Sequence, residues 1–228
     1  FGPPGLHALF SGARQRPMIF IFLGTSACWG AILGGMKIIH TSDWHLGARL
    51  HGQERGAEHD VFLAWLLDAI REERPDALLV SGDVFDVRQP APAAQARYYN
   101  FLATLATMEN RPKVVVTAGN HDSAALLGAP KDLLKHLDIV VVPAAKEDPA
   151  QEVVPVRDAA GNLLGAVAAI PFISEGDLSN LARAAGLDME DTVARRAAGF
   201  EAHCRAVLEA ARAAAPGLPV AAMAHCFL

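Results

Sequence analysis

Four short apolar runs, each followed by polar residues that can bind a metal, constrain the fold of this chain more than any other feature. The runs are residues 37–41, 77–80, 113–117 and 219–224. Continuous apolar runs of this length are typical of strands buried on both faces of a sheet. Two stretches with apolar residues at helical spacing, 61–74 and 92–109, separate the first three runs. This alternation predicts βαβ units in an α/β fold.

The pattern changes after residue 138. Residues 139–142, 152–157 and 163–170 are predicted as strands, and the turn-forming residues 158–162 join the last two into a hairpin. A hairpin after a set of βαβ units predicts a second, partly antiparallel sheet. Residues 190–214 are rich in Ala, Arg and Glu, and they are predicted as a long helix that leads to the final strand.

The polar residues that follow the four runs each carry an oxygen or an imidazole nitrogen that can bind a metal. They are Asp43 and His45 after the first run, Asp83 after the second, Asn120 and His121 after the third, and His225 after the fourth. Open α/β sheets gather ligands beyond the carboxyl ends of their strands, so we expect these side chains to converge. Carboxylate and amide oxygens mixed with imidazoles favour Mn, Fe or Zn. Two such ions roughly 3.5–4 Å apart can clamp a phosphoryl group and activate water.

Each of these residues alone is weak evidence for a metal site. An Asp after a strand is more often a helix cap, and an isolated His is more often a surface or core residue. The joint pattern of Asp-x-His, Gly-Asp, Gly-Asn-His-Asp and a final His, each at the end of a predicted strand, favours the metal interpretation.

Charge and cysteine usage exclude some functions. Lys and Arg total 20 against 25 Asp and Glu, which gives a formal net charge of −5. A free-standing binder of duplex DNA usually has a basic surface, and this composition does not provide one. The three cysteines (Cys28, Cys204 and Cys226) are too few and too scattered for a disulfide framework or a Cys-x-x-Cys zinc site. A reducing compartment, the cytoplasm, is therefore expected.

The first 35 residues have a different character from the rest of the chain. Residues 17–35 are uncharged, and they can be interpreted as a signal peptide, as a marginal membrane span, or as sequence upstream of a true start at Met36. Met36 opens a clean predicted strand, which favours the third interpretation. We therefore predict an N-terminal extension at 1–35 with no folded unit and no membrane association, and a catalytic domain at 36–228.

The motifs resemble a known family. Asp43-Trp44-His45, residues 82–86 (GDVFD) and residues 119–122 (GNHD) resemble the first three motifs of calcineurin-like metallophosphoesterases. Within that superfamily, the segments HTSDWHLG, RGAEHDVFLAWLL, SGDVFD and AGNHDS resemble the SbcD family, the nuclease subunits of bacterial SbcCD complexes. The resemblance implies an α/β fold, a four-layer sandwich of two mixed β-sheets flanked by helices, truncated here at the C-terminus.

The resemblance also implies a role for each site residue. Asp43 and His45 would hold one metal, Asp83 would bridge two metals, and Asn120 and His225 would hold the second. His121 would act on the scissile phosphate as the catalytic residue. Asp122 would orient His121 from behind, although it can also be interpreted as a helix N-cap. The role of Asp86 stays open, because some relatives carry His at this place.

The activity implied is that of a metal-dependent DNA nuclease. It would cleave double-stranded ends and hairpins by means of water activated by two divalent ions, with Mn²⁺ as the expected metal. An SbcC-type ATPase and a second copy of the chain are the implied partners. The alternatives are a phosphatase or small-molecule phosphodiesterase on the same fold, and a non-catalytic interaction module.

One departure from the family pattern concerns the ligand set. The family closes its site with a later Gly-His-x-His motif, which does not occur in these 228 residues. We therefore expect weak metal binding, little nuclease activity and an exposed sheet edge beside the strand before His225. The remaining histidines are poor substitutes for the two imidazoles, and His136 and His203 are interpreted as solvated helix residues. These histidines are His40, His51, His59, His136 and His203.

Overall fold

The computed structural model describes residues 19–23, 29–33, 35–187 and 190–226. The strands are β1 (Ile19–Leu23), β2 (Trp29–Leu33), β3 (Met36–Thr41), β4 (Arg49–Leu50), β5 (Gln53–Glu54), β6 (Ala77–Ser81), β7 (Lys113–Thr117), β8 (Ile139–Val142), β9 (Val153–Arg157), β10 (Leu163–Ile170) and β11 (Val220–Ala224). The helices are α1 (Gly56–Glu73), α2 (Pro92–Ala106), α3 (Ala124–Gly128), α4 (Lys131–Lys135), α5 (Glu175–Ala184) and α6 (Thr192–Ala214), with a 3-10 turn at Pro149–Glu152.

Two mixed sheets form the centre of the molecule. The first has the strand order β2-β3-β6-β7-β8, in which β3, β6, β7 and β8 run parallel and β2 is antiparallel to β3. The second has the order β1-β11-β10-β9, in which β1, β11 and β10 run parallel and the β9–β10 hairpin supplies the antiparallel pair. The predicted βαβ units and the predicted hairpin are therefore both confirmed.

The sheets and helices stack in four layers because each sheet is buried on both faces. Helices α1 and α2 cover the outer face of the first sheet, where Leu66 and Leu102 join one cluster of buried residues. A second cluster, including Leu79 and Val167, lies between the two sheets. Helix α6 covers the outer face of the second sheet through residues such as Val207. Burial of this apolar surface is the main driving force for the fold, and it holds both sheets in a fixed relation.

Local sequence signals set several helix boundaries. Helix α1 ends at Arg74, which has a left-handed φ of 46° and donates its N–H to Ile70 O. Helix α2 begins with Pro92, whose missing N–H costs nothing in the first turn. Helix α6 begins after Asp191, whose carboxylate accepts the first free N–H groups of the helix. Over the described residues, no helix combines the length and the apolar composition that a bilayer crossing requires.

The N-terminal segment differs from its prediction. Strand β1 pairs with β11, and β2 pairs with β3, so the expectation that residues 1–35 contain no folded unit is wrong for these two strands. Strand β11 has neighbours on both sides, and it is not the exposed edge that the sequence predicts. Cys28 lies outside the described residues. The start of the native domain at residue 36 stays a prediction.

His203 also differs from its prediction. It is buried on α6, with its Nε2 3.1 Å from the Oε2 of Glu152, which has no exposed surface. Glu152 also accepts the N–H of Lys146. The interpretation of His203 as a solvated helix residue is therefore wrong, because the pair ties α6 to the start of β9. His136 is exposed at the end of α4, as predicted.

Removal of residues 1–35 is expected to leave the domain folded but to uncover the edges of β3 and β11. Uncovered edges pair readily with other chains, so light scattering should rise with protein concentration. Far-UV circular dichroism and the thermal midpoint should stay close to those of the whole chain. Removal of residues 1–18, which retains β1 and β2, is the matched control. Loss of cooperative unfolding in residues 36–228 alone would show that the domain begins further upstream.

Candidate metal centre

The loops that follow β3 and β6 run side by side and continue the pairing of the two strands. Asp43 N–H donates to Gly82 O at 3.1 Å, His45 N–H to Asp83 O at 2.9 Å, and Leu46 N–H to the carbonyl of the next residue, Val84, at 2.9 Å. These bonds leave the side chains of Asp43, His45 and Asp83 free to point away from the backbone ladder. The first two predicted motifs are thereby brought together at the carboxyl edge of the first sheet.

The backbone of these loops is strained. Asp43, His45 and Asp83 have φ values of 56°, 45° and 50°. Such left-handed conformations are uncommon for residues other than glycine, and each costs on the order of 1–3 kcal/mol. Strain of this kind persists where the surrounding structure fixes it, and it clusters at functional sites. Here it coincides with three of the predicted ligands.

Two glycines allow the loops to approach one another. A Cβ on Gly82, which has a φ of 78°, would collide with the ring of His225 and with the backbone of Gly119. A Cβ on Gly119 would collide with the carboxylate and the amide nitrogen of Asp83. Both glycines are therefore required because other parts of the site occupy the space a side chain would need.

The first half of the site is built from Asp43, His45 and Asp83. His45 Nε2 lies 3.9 Å from Asp43 Oδ1 and 3.7 Å from Asp83 Oδ2. Each of the three residues offers one ligand atom, and these atoms lie within 4.8 Å of one another. The three side chains therefore surround a volume that suits one divalent ion.

The second half is built from Asp83, Asn120 and His225. His225 Nε2 lies 3.5 Å from Asp83 Oδ2 and 3.0 Å from Asn120 Oδ1, and its Nδ1 is 3.0 Å from Ser81 O. The Ser81 carbonyl can only accept, so Nδ1 carries the proton and Nε2 faces the other two side chains. His225 reaches this place from the second sheet, whereas the other residues follow strands of the first.

The residues present fit a divalent metal. Asp43 Oδ2 is a buried carboxylate oxygen without a hydrogen-bond partner among the described residues, and such an atom is costly unless something else satisfies it. The donors are two carboxylates, an amide oxygen and two imidazoles, a set that suits Mn, Fe or Zn. Asp83 faces both halves and is the residue that can contact two ions at once.

His121 lies beside this cluster and is fixed by two contacts. Its backbone N–H donates to Asp83 Oδ1 at 2.9 Å, and its ring Nδ1 donates to Asp86 O at 2.7 Å. The hydrogen bond to the Asp86 carbonyl, helped by nearby carboxylates, raises the pKa of His121 above its ordinary value. The ring is exposed, so its Nε2 is available to a substrate.

Asp122 lies behind the site. Its carboxylate accepts the backbone N–H groups of Val84, Phe85 and Gly119 at 2.9–3.1 Å, and burial raises its pKa against the effect of these bonds. It therefore clamps the loops after β6 and β7 together. The expected bond to the His121 ring is taken by Asp86 O instead, and the N-cap of α3 is Ser123, whose hydroxyl accepts Leu126 N–H.

The remaining histidines lie elsewhere. His40 is buried in β3 with its Nε2 2.9 Å from Ser81 Oγ, and burial lowers its pKa to about 4. His59 is buried on α1, and burial lowers its pKa. His51 is exposed in the turn between β4 and β5. None of them belongs to the two groups of candidate ligands found among the described residues.

Comparison with known proteins agrees with this arrangement. A sequence model of the calcineurin-like phosphoesterase family matches residues 36–226. The chain belongs to this family. The family fold is consistent with the four-layer sandwich described above, and its activity depends on divalent metal ions, which the candidate ligands can hold.

Curated relatives of this calcineurin-like phosphoesterase are named as the D-type component of the nuclease SbcCD. The protein of Rhodobacter capsulatus is 40% identical over 197 residues, which cover 83% of this chain and 47% of the relative. The Escherichia coli K12 protein is 39% identical over 143 residues, 63% of this chain and 34% of the relative. The Bacillus subtilis protein is 36% identical over 146 residues, 64% of this chain and 36% of the relative. The chain thus spans at most about half the length of these relatives.

Some residues of the site are not evident in the sequence. Phe172 donates its N–H to Ala118 O, and its ring meets the ring of His225 edge-on at 6.3 Å. Ser81 contributes its carbonyl to His225. Phe172 follows β10, an ordinary apolar strand, and a backbone carbonyl has no sequence signal. Only the family motif Gly-Asp pointed to this part of the loop.

Gly119→Ala is expected to displace Asp83 and to weaken metal binding. The added Cβ would occupy the position of the Asp83 carboxylate, so affinity for Mn²⁺ should fall on the order of 10–100-fold. Isothermal titration calorimetry measures this. Gly176→Ala is the matched control, since a Cβ there has no heavy atom closer than Ser174 Oγ at 3.9 Å. Equal Mn²⁺ affinity in both variants would contradict the assigned role of Asp83.

Proposed function

We propose that this chain is the metal-binding part of a DNA nuclease subunit that hydrolyses phosphodiester bonds with two divalent ions, Mn²⁺ in the cell. The observation that carries the proposal is the position of Asp83, whose Oδ2 lies 3.7 Å from His45 Nε2 and 3.5 Å from His225 Nε2. A carboxylate shared by two sets of ligands is what a two-metal phosphoesterase requires.

Each site residue then has one role. Asp43 and His45 hold one ion, Asn120 and His225 hold the other, and Asp83 contacts both. The bound ions supply Lewis-acid stabilisation of the phosphate and a source of activated water. Asp122 keeps the loops that carry Asp83 and Asn120 in place.

His121 is the catalytic residue in this proposal. Its Nδ1 is occupied by the Asp86 carbonyl, which leaves Nε2 as the nitrogen that meets the substrate. A raised pKa favours the protonated ring. The ring can then stabilise charge that develops on the phosphate or give a proton to the leaving oxygen.

DNA and an SbcC-type ATPase are the proposed substrate and partner. The relatives that support this are named as subunits of the SbcCD nuclease. The formal net charge of −5 fits a subunit that receives part of its DNA affinity from another chain. We place the protein in the cytoplasm, with a domain that starts at residue 36, where the family match also begins.

A second copy of the chain is the other proposed partner. Val61 and Trp65 lie four residues apart on α1 and are 72% and 52% exposed, so they form an apolar strip on one face of the helix. Exposed apolar surface of this kind is typical of a contact between proteins. We propose that α1 packs against α1 of a second copy.

The nuclease proposal competes with a phosphatase or small-molecule phosphodiesterase on the same fold. The full gene product with an SbcC-type subunit should degrade linear duplex and hairpin DNA faster than it hydrolyses a bis-nitrophenyl phosphodiester, at equal Mn²⁺. A preference for the small diester, or for a nitrophenyl monoester, would favour the alternative.

Substitutions of Asp83 and His121 are expected to separate metal binding from chemistry. Asp83→Asn should lose both the second equivalent of Mn²⁺ and DNA cleavage, because a neutral amide cannot hold two cations close together. His121→Ala should retain both equivalents but lose on the order of 10²–10⁴-fold in rate, the usual contribution of an acid–base group. Calorimetry and cleavage assays on one set of proteins measure both. If His121→Ala loses an equivalent of metal, His121 is a ligand.

Trp65→Glu is expected to prevent self-association. A charge in the middle of the apolar strip would be buried without a partner in the dimer. Sedimentation velocity should show a dimer for the parent chain and a monomer for the variant. Leu133→Glu, which changes a 68% exposed leucine on α4, is the matched control. A monomeric parent chain at high concentration would contradict the α1 interface.

A further inference from the structure

Asp86 lies between the rings of His45 and His121 and contacts both. Its carboxylate Oδ1 is 3.3 Å from His45 Nδ1, and its backbone carbonyl accepts from His121 Nδ1 at 2.7 Å. The two rings meet edge-on, with centroids 4.9 Å apart and an interplanar angle of 89°. One residue therefore adjoins the inner nitrogen of both imidazoles.

The two nitrogens of His45 face different surroundings. Nε2 faces the ligand cluster, at 3.9 Å from Asp43 Oδ1 and 3.7 Å from Asp83 Oδ2. Nδ1 is buried and makes no aligned hydrogen bond within the part of the chain that the structure describes, and the Asp86 carboxylate is the nearby charged acceptor. A small rotation of the Asp86 side chain would complete that bond.

The backbone holds Asp86 in this position. Leu46 N–H donates to Val84 O at 2.9 Å, and Asp86 N–H donates back to Leu46 O at 3.3 Å, so a bridge of parallel pairing links the two loops. The residues before and after this bridge are therefore fixed relative to one another. The side chain of Asp86 emerges beside the ring of His45 as a consequence.

We propose that Asp86 is a positioning residue, whose carboxylate accepts the Nδ1–H of His45 and so keeps the His45 Nε2 lone pair aimed at the metal site. This inference rests on the proposed function, since it concerns the same site. A histidine that binds a metal through one nitrogen commonly donates its other N–H to a carboxylate, which fixes the tautomer and the ring orientation. Asp86 itself does not act as a ligand.

The chemistry predicts different results for two substitutions. Asp86→Ala removes the acceptor, so the His45 ring can turn and can place its proton on Nε2. Asp86→Asn keeps an amide oxygen that accepts the same N–H, although more weakly than a carboxylate. Neither substitution removes a ligand, so the number of bound ions should stay the same.

The experiment uses the whole chain with Asp86→Ala, Asp86→Asn and, as a control, Asp68→Ala. Asp68 is a 77% exposed aspartate on α1 that forms an ion pair with Arg71, one turn along the same helix. Long-range ¹H–¹⁵N NMR of the histidine rings in the metal-free proteins reports which nitrogen of His45 carries the proton. Mn²⁺ calorimetry reports affinity and stoichiometry, and circular dichroism confirms that each variant is folded.

The metal-free parent, the control and Asp86→Asn should show His45 with its proton on Nδ1, and Asp86→Ala should lose this preference. Mn²⁺ affinity should fall about 10–100-fold in Asp86→Ala at unchanged stoichiometry, and only a few-fold in Asp86→Asn. A parent-like tautomer in Asp86→Ala would overturn the proposal. Loss of one equivalent of metal in both variants would also overturn it, because Asp86 would then be a ligand. If the parent bound no Mn²⁺, the proposed function would fail while the NMR result still decided the role of Asp86.

Discussion

Asp83 places its carboxylate where the loops after β3, β6 and β7 meet the end of β11, and the rest of the site depends on that placement. Its backbone carbonyl accepts from His45, its Oδ1 accepts the N–H of His121, and its Oδ2 faces His225. The φ of 50° at Asp83 and the close approach of Gly119 are the local cost of this arrangement. Three loops are thereby held around one side chain.

The distance between the two halves of the site depends on how the two sheets pack. His225 follows a strand of the second sheet, whereas Asp43, Asp83 and Asn120 follow strands of the first. The apolar cluster between the sheets, in which Leu79 and Val167 take part, therefore sets the separation of the ligands. Close-packed interiors resist such displacement, so the core acts as the rigid support of the site.

The sequence was sufficient to predict the strands that carry the ligands, since each is a continuous apolar run that ends in a polar motif. Residues 113–117, 139–142 and 163–170 coincide with β7, β8 and β10. The assignment of β11 to a different sheet from β3 could not be predicted, because strand neighbours depend on long-range packing. The pairing of β1 and β2, and the burial of His203 against Glu152, depend on tertiary contacts in the same way. Asp122 was predicted as a supporting residue, but its partners are backbone N–H groups, which leave no trace in side-chain patterns.

The two-metal mechanism requires that one carboxylate, that of Asp83, be shared by both ions. Crystals of the chain grown with Mn²⁺, with diffraction recorded on both sides of the manganese absorption edge, would locate the ions directly. We expect two anomalous peaks, roughly 3.5–4 Å apart, with one beside Asp43 and His45, the other beside Asn120 and His225, and Asp83 in contact with both. A single peak, or two peaks that do not share Asp83, would contradict the two-metal mechanism.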